Sequence, residues 1–268
     1  LCSVSLRREL VKKFRSPQAN KRNKLNSVLK VRNSNMIETP PLVRIHEKMR
    51  RPGQKQIDAF SGIPTGFVVD AMFGGGALSS KIRPIGEGRD IRCVSHGPAM
   101  TAHCGAADVL ATFAALRFLQ PGDIVIAAFD NHQGCAAAGD RLIGMMKNNG
   151  AAGFVTDGPV RDYVGITDVG LPVWCTGLTP ASPFMSGPGT VGFPVQIGEQ
   201  QISTGDMIVA DIDGVVVVPF HRIDEVINKL EEIKVLEREL DVKVAKGLKI
   251  PEWVETILDS SQTQSSKH

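Results

Sequence analysis

Three apolar runs of strand length, separated by two segments of helical spacing, constrain this chain more than any other feature. After the turn Pro121-Gly122-Asp123, residues 124–129, 153–156 and 172–176 read as strands, and residues 140–149 and 161–169 as helices closed by Gly150 and Gly170. Glycine just past the last periodic residue is a helix stop, because it takes a left-handed backbone without steric cost. The order β-α-β-α-β requires parallel strands joined by crossover helices. Such a sheet keeps its ligand crevice at the carboxyl ends of its strands, where both helix N-termini also lie. Gly139-Asp140 and Arg161-Asp162 are therefore expected to face one pocket.

The flanking segments follow from the same kind of pattern. Residues 36–60 are polar with helical spacing, and a short helix is expected after Pro64 and Gly66. Residues 91–104 read as a strand interrupted at Gly97-Pro98, and residues 106–118 as a helix. Residues 190–197, 201–202, 207–210 and 215–218 predict short strands of an antiparallel layer. A long C-terminal helix is expected from about residue 221, with an apolar stripe through Ile223, Val226, Leu230, Ile233, Leu240 and Val244. Glu237 interrupts that stripe, although a stripe through Leu236 would leave it on a solvated face.

Charge divides the chain. Residues 1–35 hold ten basic residues and one acidic, whereas residues 36–268 hold 21 basic and 27 acidic, so a net +3 conceals a +9 leader and a −6 body. The leader has the composition of a transit peptide or a basic arm. Because the chain opens on Leu1 and its first methionine is Met36, residues 1–35 are taken as an artefactual or dispensable, disordered extension. Residues 36–268 are expected to form one domain, and removal of the leader to leave turnover intact. An acidic body makes nucleic acid an unfavourable partner. No run reaches 18 apolar residues, so no transmembrane helix is expected. The five widely spaced cysteines form no CxxC pair, which favours a reducing, cytoplasmic setting over a disulfide framework or a zinc site.

Several motifs mislead. Gly187, Gly189 and Gly192 spell GxGxxG but precede a strand, not a helix, so they do not mark a dinucleotide site. Asp211-Ile212-Asp213-Gly214 begins like a calcium loop, but the following valines offer no oxygen ligands, and a tight hairpin is expected. The six histidines lack metal-ligand spacing, and neither a GxSxG elbow nor a Walker motif occurs.

Two helix starts carry the chemistry. Thr156–Asp162, TDGPVRD, places Arg161 and Asp162 in the first turn of a helix just past a buried strand, so a guanidinium, a carboxylate and unpaired amides converge. Taken alone, Asp162 as a helix cap and Arg161 as a surface ion pair explain the segment equally well. Gly139-Asp140-Arg141-Leu142 adds a second start, where glycine admits a ligand close to the backbone and the amides of residues 140–142 can cradle a carboxylate. One carboxylate holds zinc poorly, but Mg²⁺ or Mn²⁺ accepts one or two and keeps sites for water and substrate oxygens. The chemistry implied is Lewis-acid activation of a 2-oxo acid.

From Thr65 to Val218 the chain resembles the family of the regulator of ribonuclease activity A and the 4-hydroxy-4-methyl-2-oxoglutarate aldolases. The resemblance rests on IRP (82–84), PGD (121–123), GDRL (139–142), GFVTDGPVRD (153–162), PV (172–173), PGTVGFPV (188–195) and GDMIVADIDGVVVVP (205–219). It implies an α/β fold with layers ordered α/β/β/α, built on the β-α-β-α-β core and closed by the long helix. It also implies a divalent-metal-dependent, class II-type aldolase that cleaves 4-hydroxy-2-oxo dicarboxylic acids to pyruvate and a second oxo acid, with oxaloacetate decarboxylation as a side activity. By resemblance, Gly139, Asp140, Arg141 and Leu142 bind substrate through backbone amides, Arg161 contacts the pyruvyl part, Asp162 ligates Mg²⁺ or Mn²⁺, and Asp140 holds water at the metal. Glu237 is the candidate for the acidic residue that, in similar aldolases, reaches a neighbouring subunit's site in a homotrimer or a pair of trimers. The alternative within the family is a non-catalytic regulator that binds a ribonuclease or helicase. A quinone methyltransferase is disfavoured, because no glycine-rich loop opens a helix after a first strand.

Overall fold

The computed structural model describes residues 40–266, so the expectations for residues 1–35 lie outside the described residues. In chain order the elements are β1 (Val43–Ile45), α1 (Gln54–Asp58), α2 (Thr65–Ala71), β2 (Arg83–Pro84), β3 (Ser95–His103), α3 (Leu110–Ala115), β4 (Ile124–Ala128), α4 (Asp140–Asn148), β5 (Gly153–Thr156), α5 (Tyr163–Val169), β6 (Val173–Cys175), β7 (Gly189–Val191), β8 (Val195–Ile197), β9 (Gln200–Ile202), β10 (Met207–Ala210), β11 (Val215–Val218), α6 (Ile223–Ala245) and α7 (Glu252–Leu258).

The β-α-β-α-β core forms as its pattern predicts. β3, β4, β5 and β6 are neighbours in a parallel array, with α4 and α5 as crossovers. β4 and β5 are buried at every position, which is why they read as unbroken apolar runs instead of alternating ones. β2 adds antiparallel to β6, and β7 joins the other edge between β3 and β1.

β3 continues through Gly97-Pro98 instead of breaking there. Its first half, Ser95 to Pro98, pairs antiparallel with β10, and its second half, Ala99 to His103, pairs parallel with β4. Pro98 sits where the strand changes partners, a position at which a missing N–H donor costs least. Gly97 is required by contact: a Cβ there would lie 2.0 Å from the Gly122 carbonyl oxygen.

The layers follow from side-chain alternation on the β10–β11 hairpin. Met207, Val209, Val216 and Val218 share a core with Ile57, Phe60 and Val68 and with Ile223, Val226, Leu230 and Ile233 of α6. Ile208, Ala210, Val215 and Val217 belong instead to the core that holds β4, β5 and the inner residues of α4 and α5. A strand with both faces covered lies between two other layers, and the order is α/β/β/α. The turn Asp211–Gly214 is a hairpin, and Asp211 accepts hydrogen bonds from the Thr65 amide and hydroxyl, both 2.8 Å, at the start of α2.

Four local expectations change. Of the segment 36–60, the described residues 40–60 contribute a strand, β1, paired parallel with β7, and only five helical residues, because neighbours override a short helical pattern. Residues 106–118 yield a helix only from Leu110: Ala107 has φ +63°, and the Asp108 carboxylate takes the Leu110 amide at 2.8 Å. Gly192, at φ +82°, splits residues 190–197 into β7 and β8, and β7 joins the main sheet. The stripe on α6 is buried only as far as Ile233, and Leu240 and Val244 are exposed.

Candidate active site

A cavity of about 560 Å³ opens where the chain leaves β4 and β5. Gly139, Asp140, Arg141 and Leu142 line it from the start of α4, together with Arg161 and Asp162 from the loop before α5. The opposite wall is Val109, Phe113, Ser182, Pro183 and Met185. The six residues expected from the two helix starts thus share one crevice. Glu237 is not among the lining residues of its own chain's cavity.

The local geometry of Arg161 and Asp162 differs from expectation. They precede α5 instead of forming its first turn, because Asp162 adopts a left-handed backbone, φ +62° and ψ +47°. Its side chain makes no capping bond to the helix. Asp162 Oδ2 lies 3.2 Å from Arg161 Nε, and Oδ1 has no partner among the described residues. A non-glycine residue held in this region marks a position where the surroundings impose the conformation.

The loop that imposes it is tied from both sides. Asp157 is buried and accepts the Phe129 amide at 2.6 Å and the Asn131 amide at 2.9 Å. Burial pushes its carboxyl above the usual range, and the two amides oppose that shift. Val160 bridges to Leu178, and the Arg161 amide donates to the Ala138 carbonyl at 3.0 Å. The guanidinium is fixed in turn: Nη1 donates to Ser182 Oγ at 2.6 Å, while Nη2 has no partner among the described residues.

Gly139 is the hinge of the arrangement. With φ −133° its backbone is open to any residue, but a Cβ would lie 2.5 Å from Asp162 Oδ2 and 3.1 Å from Arg161 Nε. Glycine here lets the ion pair sit against the start of α4. The helix then presents its amides to the cavity, with one change from expectation: the Arg141 amide already donates to Asp140 Oδ1 at 2.7 Å. The Asp140 and Leu142 amides have no partner among the described residues.

Sequence reasoning missed Ser182 and Asp108. Asp108 is buried and clasps the wall that carries Ser182: Oδ2 accepts the Ser186 and Gly187 amides at 2.5 and 2.9 Å. The Asp108 bond to Leu110 is a local turn signal that could have been read, whereas nothing near Ser182 in sequence points to Arg161. The loop 128–140, which leads into Gly139, carries three more polar side chains, Asp130, Asn131 and His132, and none of them lines this cavity. Asp130 bonds His103 at 2.8 Å, Asn131 borders a different cavity, and His132 packs on Phe129.

No group of three or more His, Cys, Asp or Glu side chains converges among the described residues, so no enclosed metal cage is built there. The free Oδ1 of Asp162 and the nearby Asp140 offer hard oxygen donors suited to Mg²⁺ or Mn²⁺, which retain water and substrate ligands. No helix among the described residues is long and apolar enough to cross a membrane.

Known proteins resemble this chain in sequence and in fold. The family model described as RraA-like: Aldolase/RraA matches residues 65–217. A Halalkalibacterium halodurans protein provisionally named as a 4-hydroxy-4-methyl-2-oxoglutarate aldolase is 35% identical over 176 residues, 66% of this chain and 82% of its own length. A Burkholderia multivorans protein with the same provisional name is 29% identical over 133 residues, 45% of this chain and 81% of its own. The structure of Streptomyces coelicolor RraAS2, described as an unusual member of the RNase ES inhibitor RraA protein family, matches with a TM-score of 0.63 at 26% identity, over 72% of this chain and 100% of that one.

Proposed function

The chain belongs to the RraA-like family of aldolases and RraA proteins, and from that premise we propose that it is a divalent-metal-dependent aldolase. Its substrates are 4-hydroxy-2-oxo dicarboxylic acids, cleaved to pyruvate and a second oxo acid. The observation that supports this most is the meeting of Arg161, Asp162 and the unpaired amides of α4 in one cavity. A regulator needs only a surface, whereas this arrangement serves an anion and a cation together.

The residues divide the work by charge. The amides at the start of α4 hold the substrate carboxylate, because a helix N-terminus carries partial positive charge and unsatisfied donors. Asp162 and, through water, Asp140 would hold Mg²⁺ or Mn²⁺, which when bound would supply positive charge next to the group where the enolate forms. Asp140 takes the proton of the 4-hydroxyl through a water that it holds, the C4 oxygen becomes the carbonyl of the second oxo acid, and the C3–C4 bond breaks with its electron pair passing into the enolate. Arg161, fixed by Ser182, stabilises the negative charge that develops on the enolate oxygen. The proton taken up at Asp140 returns through the water to C3 of that enolate and gives pyruvate. Loss of CO₂ from oxaloacetate leaves the same enolate, so decarboxylation is the expected side activity.

The active assembly in this account is a trimer or a pair of trimers. Beyond Ile233, α6 bears exposed Val235, Leu236, Leu240 and Val244, an apolar surface suited to a neighbouring copy, with half-buried Glu237 among them. Glu237 then serves the neighbour's cavity. The test is a panel of 4-hydroxy-2-oxo acids and oxaloacetate with Mg²⁺ or Mn²⁺, read by pyruvate release. Failure across the whole panel would favour the regulator.

A further inference from the structure

We propose that a second cavity, at the carboxyl ends of β4 and β6, binds a small doubly charged oxyanion. The cavity has a volume of about 470 Å³ and shares no lining residue with the catalytic one. It is bordered by Ser79, Lys81, Arg83, Asn131, Gln133 and Thr176, and none of its lining residues is acidic. Carboxyl ends of parallel strands are where sheets of this kind place ligands.

The donors are uncommitted. Among the described residues neither Lys81 nor Arg83 has an acidic partner within ion-pair distance. Arg83 Nε donates to the Ser80 carbonyl at 2.9 Å, which orients the guanidinium and leaves both terminal nitrogens without a partner among the described residues. The side chains of Ser79 and Asn131 also have none. Gln133 acts as scaffold: its Nε2 donates to the Asn131 and Asp157 carbonyls at 3.1 and 2.9 Å, and its Oε1 accepts the Thr176 hydroxyl at 2.7 Å.

The backbone that delivers Asn131 is unusual. Asp130 and Asn131 both have φ +54°, two consecutive non-glycine residues in the left-handed region, held there by the buried Asp157. Such conformations persist where the surroundings over-determine them and cluster at ligand sites. Two cations, one of them a planar fork, set against neutral donors match a dianion. Phosphate and dicarboxylates share that chemistry.

The test is isothermal titration of the full-length protein with inorganic phosphate and, separately, with malonate. Which probe binds identifies the source of the dianion. The Arg161→Ala variant removes the catalytic cation, and Lys81→Ala/Arg83→Gln removes the two proposed here. At least one probe should bind Arg161→Ala with little change and Lys81→Ala/Arg83→Gln about tenfold or more weakly. Asn131→Ala, which leaves both charges in place, should weaken binding by a smaller factor and covers the case in which the double variant fails to fold. Absence of binding by either probe, or binding that depends on Arg161 and not on Lys81 and Arg83, overturns the proposal. Pyruvate release plays no part in this readout, so the second cavity and the catalytic reading fail separately.

Discussion

Replacing Gly139 by alanine isolates the site from the fold. The added methyl would lie 2.5 Å from Asp162 Oδ2, where ordinary contact begins at 3.4 Å, so the carboxylate must retreat by about 0.9 Å. Arg161 Nε, at 3.1 Å, must shift as well. Both belong to long or partly exposed side chains that can move, and φ −133° suits alanine, so the fold loses only about 1 kcal/mol for the poorer N-cap. That corresponds to a fall in Tm of about 2–4 °C. Displacement of reacting groups by about 1 Å costs roughly a hundredfold in rate, or about 2.7 kcal/mol. The assay is kcat/KM for pyruvate release alongside a thermal melt. Gly144→Ala is the control, because its methyl meets only Val169 Cγ2 at 3.7 Å and a helix interior gains about 0.5–1 kcal/mol from alanine. A Gly139→Ala enzyme with wild-type kcat/KM would refute the claim that the Arg161–Asp162 pair must sit against α4.

Three further expectations use other parts of the site and core. Arg161→Ala and Asp162→Ala should each lower kcat/KM for pyruvate release by about 10²–10³ or more, and retention of full turnover by either removes that residue from the mechanism. Ser182→Ala should cost roughly tenfold in kcat/KM with an unchanged melt, while Ser182→Thr retains activity; equal activity in the alanine variant would show that Ser182 does not hold Arg161. Burial raises the Cys104 and Cys175 thiols from 9.0 to about 11. Between these values the unfolded chain gives up protons that the native state keeps, so stability is unaffected below pH 9 and falls as pH rises toward 11. The loss is about 2 kcal/mol per thiol by pH 10.5, read as a drop in the urea midpoint between pH 8 and pH 10.5, and a flat profile would contradict the burial.

The legible parts of this protein are those whose signals are local. β4 and β5 announce themselves as buried strands, Gly150 and Gly170 close their helices, and the hairpin after Ala210 is written in Asp213-Gly214. The two helix starts could be assigned to one crevice because parallel connectivity leaves little choice. What sequence could not convey are conformations imposed from a distance. Asp162 leaves the helix because Val160 is tied to Leu178 and Arg161 to Ala138. β3 survives Gly97-Pro98 because it changes partners there, and Ser182 reaches Arg161 only because Asp108 folds its segment back. Even the glycines of the GxGxxG had a different reason: at Gly189 a Cβ would lie 2.7 Å from Ala111 Cβ.

The central claim is that Arg161, Asp162 and the start of α4 form a metal-dependent site for cleaving 2-oxo acids. Its most direct measurement is pyruvate release from 4-hydroxy-4-methyl-2-oxoglutarate and related acids by the purified protein, with Mg²⁺ or Mn²⁺ and then with a chelator. Turnover should require the ion, return when it is restored and vanish in Asp162→Ala. Turnover that is indifferent to the chelator, or no pyruvate from any acid tested, would contradict it.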